Sequence, residues 1–106
     1  MRMKNPPHPG TGLVEDFEAL ELTMAEAAKA LGISRGHLYK LTKGEVGITA
    51  DMAFRLEKVV GSTADHWVRL QASYDLAQVR NNADHPAHGL RRYTPPRNAA
   101  AQPSLL

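Results

Sequence analysis

The sequence predicts an all-α domain of five helices over residues 1–82, followed by a flexible tail over residues 83–106. Three observations carry this reading. All seven prolines lie outside residues 10–82, as an unbroken run of helices requires. Within that span, apolar residues recur three and four apart between hydroxyl caps and glycine stops. No stretch alternates convincingly at period two.

The first helix spans about residues 11–20, with Leu13, Val14, Phe17 and Leu20 on one stripe and Glu15, Asp16 and Glu18 facing water. The second opens at Thr23, where Glu26 three residues on completes a capping box, and it buries Ala27, Ala28 and Leu31. Gly32 suits a left-handed C-cap. Ser34 caps the third, which buries Leu38 and Leu41 and ends before Gly44. Thr49 caps the fourth, which buries Met52, Ala53, Leu56, Val59 and Val60 and stops at Gly61. The fifth begins near Ser62 or Thr63 and runs to about Arg80. Beyond it, four prolines, the Ala99-Ala100-Ala101 run and a shortage of large apolar residues predict a flexible tail.

Composition excludes several classes of function. With no cysteine among 106 residues, there is no disulfide, cysteine-ligated zinc or cysteine nucleophile. No apolar run approaches a membrane span, and the opening MRMKNPPHPG lacks the apolar region of a secretory signal, so no membrane partner and a cytoplasmic location are expected. His85 and His88 flank Pro86 with only Asp84 nearby, short of the four ligands of a closed zinc site. No phosphate-binding glycine loop or nucleophile–base pair is present, so neither enzyme activity, metal nor cofactor is expected.

Charge is informative by position rather than by total. Residues 1–82 carry ten charges of each sign, and the net +2 arises entirely from the tail. Five acids and no base lie between Glu15 and Glu26, whereas Lys29, Arg35, Lys40 and Lys43 lie between Ala27 and Gly44 with no acid. The chain therefore contains one basic element. That element coincides with MAEAAKALGISRGHLYKLTKG, which sets Ala28, Gly32, Ile33, Leu38 and Leu41 at helix-turn-helix spacing. Small Ala28 permits a close helix crossing, Gly32 permits the turn, Ile33 plugs the angle, and Leu38 and Leu41 tie the second helix to the core. Ser34, Arg35, Gly36, His37, Tyr39, Lys40 and Lys43 are left outward or flanking. In such a motif the second helix enters the DNA major groove.

This segment resembles the Xre/Cro-repressor superfamily, whose domain is lambda-repressor-like. Three further stretches resemble the HigA-type antitoxins: NPPHPG, GITADMAFRL around Ile48–Leu56, and HWVRLQASYDL from His66 to Leu76. The resemblance covers about residues 4–80. It implies an antitoxin that neutralises a HigB-like mRNA endonuclease and represses its own operon as a homodimer on palindromic double-stranded operator DNA. The alternatives are a stand-alone Xre-type repressor and a toxin neutraliser without operator binding. By the superfamily's pattern, Arg35 and Gly36 occupy the first base-reading positions and Tyr39 and Lys40 follow, with Lys40 suited to a base or a phosphate. His37 lies on the same helix. Ser34, Lys43 and Thr49 suit phosphate contacts and Thr23 can join them, with pure helix capping the alternative for Thr23 and Thr49. Gly36 is a departure, because the family usually has a longer side chain there.

The fifth helix is apolar on two faces. Trp67, Leu70 and Tyr74 are expected in the core, and Val68, Ala72, Leu76 and Val79 against a symmetry mate. The acidic first helix (Glu15, Asp16, Glu18) is a candidate face for a toxin, since a protein that cuts RNA carries basic surface.

Overall fold

Four of the five helices in the computed structural model, which describes residues 5–96, start on a hydroxyl. Thr23, Ser34, Thr49 and Thr63 each accept the N–H three residues on, from Glu26, His37, Met52 and His66. These caps satisfy donors that a helix start leaves without intrahelical partners. The resulting elements are α1 (Leu13–Ala19), α2 (Met24–Leu31), α3 (Arg35–Thr42), α4 (Ala50–Val59) and α5 (Ala64–Asn81). Among the described residues there is no strand.

The chain enters α1 differently, through a 3-10 turn at Pro9–Gly12. His8 Nδ1 accepts the Gly10 N–H at 2.9 Å, and the buried imidazole meets the Tyr74 ring edge-on at 4.9 Å. A Cβ on Gly10 would collide with the Leu41 carbonyl oxygen, so only glycine lets this turn lie against α3.

One core joins all five helices. Leu13 and Phe17 from α1, Ala27, Ala28 and Leu31 from α2, Leu38 and Leu41 from α3, Met52, Ala53 and Leu56 from α4 and Trp67 from α5 are buried together with Ile48. Trp67 also donates its indole N–H to the Gly61 carbonyl at 3.0 Å, so the ring is both packed and satisfied.

The expected stripes need three corrections. Val14 and Leu20 were expected to be buried on α1 but are 37% and 45% exposed. The helix is only seven residues long; Leu13 and Phe17, one turn apart, take its whole core contact, and Leu20 lies at the C-cap. Val59 and Val60 are only partly buried, because α4 ends there. On α5, Leu70 is exposed, and the buried position on that turn belongs to Gln71. Residues 70 and 71 flank the line through Trp67 and Tyr74, and the α3–α4 loop lies on the Gln71 side. Tyr74 is half-buried, as a residue capped by His8 should be.

After α5, residues 83–96 are exposed apart from half-buried His85. A 3-10 turn at Pro86–Gly89 is held by His85 Nδ1, which accepts the Ala87 N–H, and by the His88 ring against the Asn82 carbonyl. The alanine run of the predicted tail lies outside the described residues.

Replacing Trp67 by alanine is expected to destabilise the domain by about 3–5 kcal/mol. Urea unfolding followed by circular dichroism reads this directly, and a midpoint like the wild type's would remove Trp67 from the core.

Candidate nucleic-acid interface

The sharp turn between α2 and α3 sets the site. Gly32 adopts φ 71°, and the Ile33 N–H bonds back to the Ala28 carbonyl at 3.0 Å, closing α2. Ile33 is half-buried against the core, as a plug between the helices should be. Arg55 of α4 then reaches across the turn. Its Nη1 donates to the Leu31 and Gly32 carbonyls at 2.8 and 3.3 Å, while its Nε donates to Asp51 at 2.7 Å. Charge-assisted bonds to the last carbonyls of α2 lock the angle from outside. Nothing in a two-helix spacing pattern points to Arg55, which lies 23 residues beyond the turn it holds.

With Leu38 and Leu41 fully buried, the opposite face of α3 is forced outward. Arg35, Gly36, His37, Tyr39, Lys40 and Lys43 are all exposed, and so is Ser34. Gly36, Tyr39 or Lys40, and Lys43 follow one another at three- and four-residue steps and so form the outermost stripe. Every residue expected on the basic helix is thus on one accessible face.

Thr23 and Thr49 are exposed at the starts of α2 and α4. The hydroxyls of Ser34, Thr23 and Thr49 each accept a helix N–H, which leaves each O–H proton able to donate to an outside oxygen. Capping and phosphate contact are therefore compatible at all three positions. At Thr23 the box is complete: the Glu26 carboxylate accepts the Thr23 N–H at 2.9 Å. That bond, and secondarily the one with the Thr23 side chain, holds the Glu26 carboxyl below the usual carboxylate range. The box therefore persists from neutral pH downward and weakens only as pH falls through this lowered value.

Thr49 owes its position to a residue with no recognisable motif. Buried Gln71 accepts the Ile48 N–H through Oε1 at 2.7 Å and donates through Nε2 to Asp75 at 2.9 Å. Gly47 packs beneath the same amide, where a Cβ would approach Gln71 to 3.2 Å. This pairing pins the α3–α4 loop to α5 immediately before Thr49. Its only trace in the sequence is a glutamine where the apolar stripe of the fifth helix should continue.

Elsewhere, α5 leaves Val68, Leu76 and Val79 between 41% and 47% exposed, and Ala72 beside them is also exposed. This is the second apolar face read from the sequence. On α1, Glu15 and Glu18 are exposed and Asp16 is half-buried.

An exposed basic helix, held across a locked turn by a five-helix core, defines a helix-turn-helix protein. Residues 15–67 match the helix-turn-helix family model. The chain belongs to this Xre-type helix-turn-helix family, which is non-enzymatic, and its structural neighbours include HigA-family antitoxins. It is 47% identical to virulence-associated protein A' of Dichelobacter nodosus over 79 residues, 74% of this chain and 69% of that protein. A HigA-family addiction module antidote protein from Coxiella burnetii superposes with a TM-score of 0.75 at 31% identity, over 84% of this chain and 99% of that one. The Pseudomonas aeruginosa antitoxin HigA, solved with the higBA promoter, superposes with a TM-score of 0.72 at 31% identity, over 82% and 97% of the two chains.

Gln71→Leu is expected to cost about 1–3 kcal/mol by leaving the buried Ile48 N–H without an acceptor. A shift in the urea midpoint measures it, and hydrogen exchange should show the Ile48 amide losing protection ahead of α2.

Proposed function

We propose that this chain is the antitoxin of a type II toxin–antitoxin pair, which represses its own operon and neutralises a HigB-like mRNA endonuclease by direct binding. The observation that carries the reading is the acid-free outer face of α3, in a fold shared with an antitoxin solved on its promoter DNA. Residues 1–82 form the functional unit in this reading, with residues 83–106 as an appended tail, and the protein acts in the cytoplasm. Among the described residues no helix is long and apolar enough to cross a membrane.

On DNA, α3 lies in the major groove with its N-terminal residues nearest the base edges. Arg35 is the first reader, since a guanidinium fork matches guanine O6 and N7. Tyr39 and Lys40 follow one turn later, and His37 flanks them. Ser34, Thr49, Thr23 and Lys43 hold phosphates and set the register, a role that carries no sequence information. Two copies pair through Val68, Ala72, Leu76 and Val79 of α5, placing two α3 helices about 34 Å apart on a palindromic operator. The toxin, basic because it holds RNA, docks on the acidic α1 face of Glu15, Asp16 and Glu18.

Fluorescence anisotropy against the chain's own promoter and a scrambled duplex, at two salt concentrations, tests the repressor half. Preference for the promoter of about a thousandfold supports it; weak, salt-sensitive binding to both would overturn it. In the same assay Arg35→Ala should lose about 1–3 kcal/mol on the operator and relax specificity at one base pair. Lys43→Ala should weaken all sequences alike and lower the salt slope by about one. Leu76→Glu, on an exposed residue, should yield a folded monomer by light scattering with weakened operator binding. A dimer that persists would move the interface elsewhere.

A further inference from the structure

Gly36 is the one residue of the outer α3 stripe without a side chain, and the fold gives no reason for it. Gly32 and Gly44 carry positive φ, and Gly10 and Gly47 each have neighbouring atoms in the space a Cβ would take. Gly36 has neither feature, and unlike Gly12 and Gly89, which share that openness at the ends of 3-10 turns, it lies inside an α-helix. It sits in regular helix, and a Cβ there would meet nothing within 4 Å. Alanine would fit without moving an atom and would stabilise the helix, because glycine loses more backbone entropy on folding.

A lack of base recognition at this position does not account for the glycine either. Alanine forms no hydrogen bond to a base edge and would be equally silent as a reader. What glycine supplies and alanine does not is the absence of the Cβ itself. From these two facts we infer that Gly36 is a clearance residue: it lets the first turn of α3 come within van der Waals contact of the DNA. It thereby sets the depth at which Arg35, Tyr39 and Lys40 reach the base edges. Gly36 leads the stripe that continues through Tyr39, Lys40 and Lys43, so this chain's stripe can seat closer to the groove floor than one led by a side chain. This inference rests on the operator-binding reading and makes Gly36 a positioning residue for specificity rather than a contact.

The test compares wild type, Gly36→Ala and Gly36→Val on the promoter duplex and a scrambled duplex by anisotropy, with thermal unfolding of each protein alone. Gly36→Ala should raise the melting temperature by a few degrees. It should bind the promoter about tenfold or more weakly, and Gly36→Val should bind more weakly still. Both should bind scrambled DNA within about twofold of wild type, because loose phosphate binding does not need the deep pose. A more stable Gly36→Ala that binds the promoter as tightly as wild type would overturn the clearance role alone. Wild-type protein that fails to distinguish promoter from scrambled duplex would overturn the operator reading, and the role of Gly36 with it.

Discussion

The angle between α2 and α3 is the constraint on which the rest of the molecule depends. It is held from inside by Ala28, Ile33, Leu38 and Leu41 and from outside by the Arg55 guanidinium on the carbonyls of Leu31 and Gly32. A rotation of α3 by one residue would carry Leu38 toward water and Arg35 toward the core. Both changes are costly, because an apolar side chain would lose its burial and a charge would lose its hydration. The inner leucines therefore dictate which residues face out, and the outward residues were free to become basic.

Placement of α3 also requires that its surroundings be rigid. The His8–Gly10 turn lies against the Leu41 carbonyl and the Tyr74 ring, joining the chain start to the end of α3 and the middle of α5. Gln71 ties the α3–α4 loop to α5 through a buried hydrogen bond at Ile48. The long α5 thus braces the end of α3 and the loop that follows it, while its opposite face stays apolar and exposed. An exposed apolar face of this kind is the surface on which the proposed pairing of two copies rests.

Strain and openness at particular residues separate folding from function. Glu21 closes α1 at φ 57° with the Leu22 N–H on the Phe17 carbonyl, a geometry glycine would adopt more easily. At Gly36 the relation is inverted, with a glycine in regular helix where the fold has room for a Cβ. Neither residue is the choice that stability alone would favour, and the second lies on the exposed basic face of α3.

The caps, the glycine stops and the leucine spacings are local chemistry, so the all-α class, the five helices and the outward set on α3 were legible in the chain by itself. Thr23, Ser34 and Thr49 cap as read because an N-cap hydroxyl needs only its own next three residues. The similarity of the motifs to a known family was likewise open to direct reading. The tertiary structure decided what periodicity cannot. Leu70 lost its expected core place to Gln71 because a loop 23 residues away brought an N–H that required an acceptor. Val14 and Leu20 stayed outside because a seven-residue helix has room for only one turn of core contact. Arg55 gained its role because α4 passes over the turn between α2 and α3. Gln71 and Arg55 depend on partners distant in sequence, and hydrophobic periodicity records only how a residue relates to its own helix.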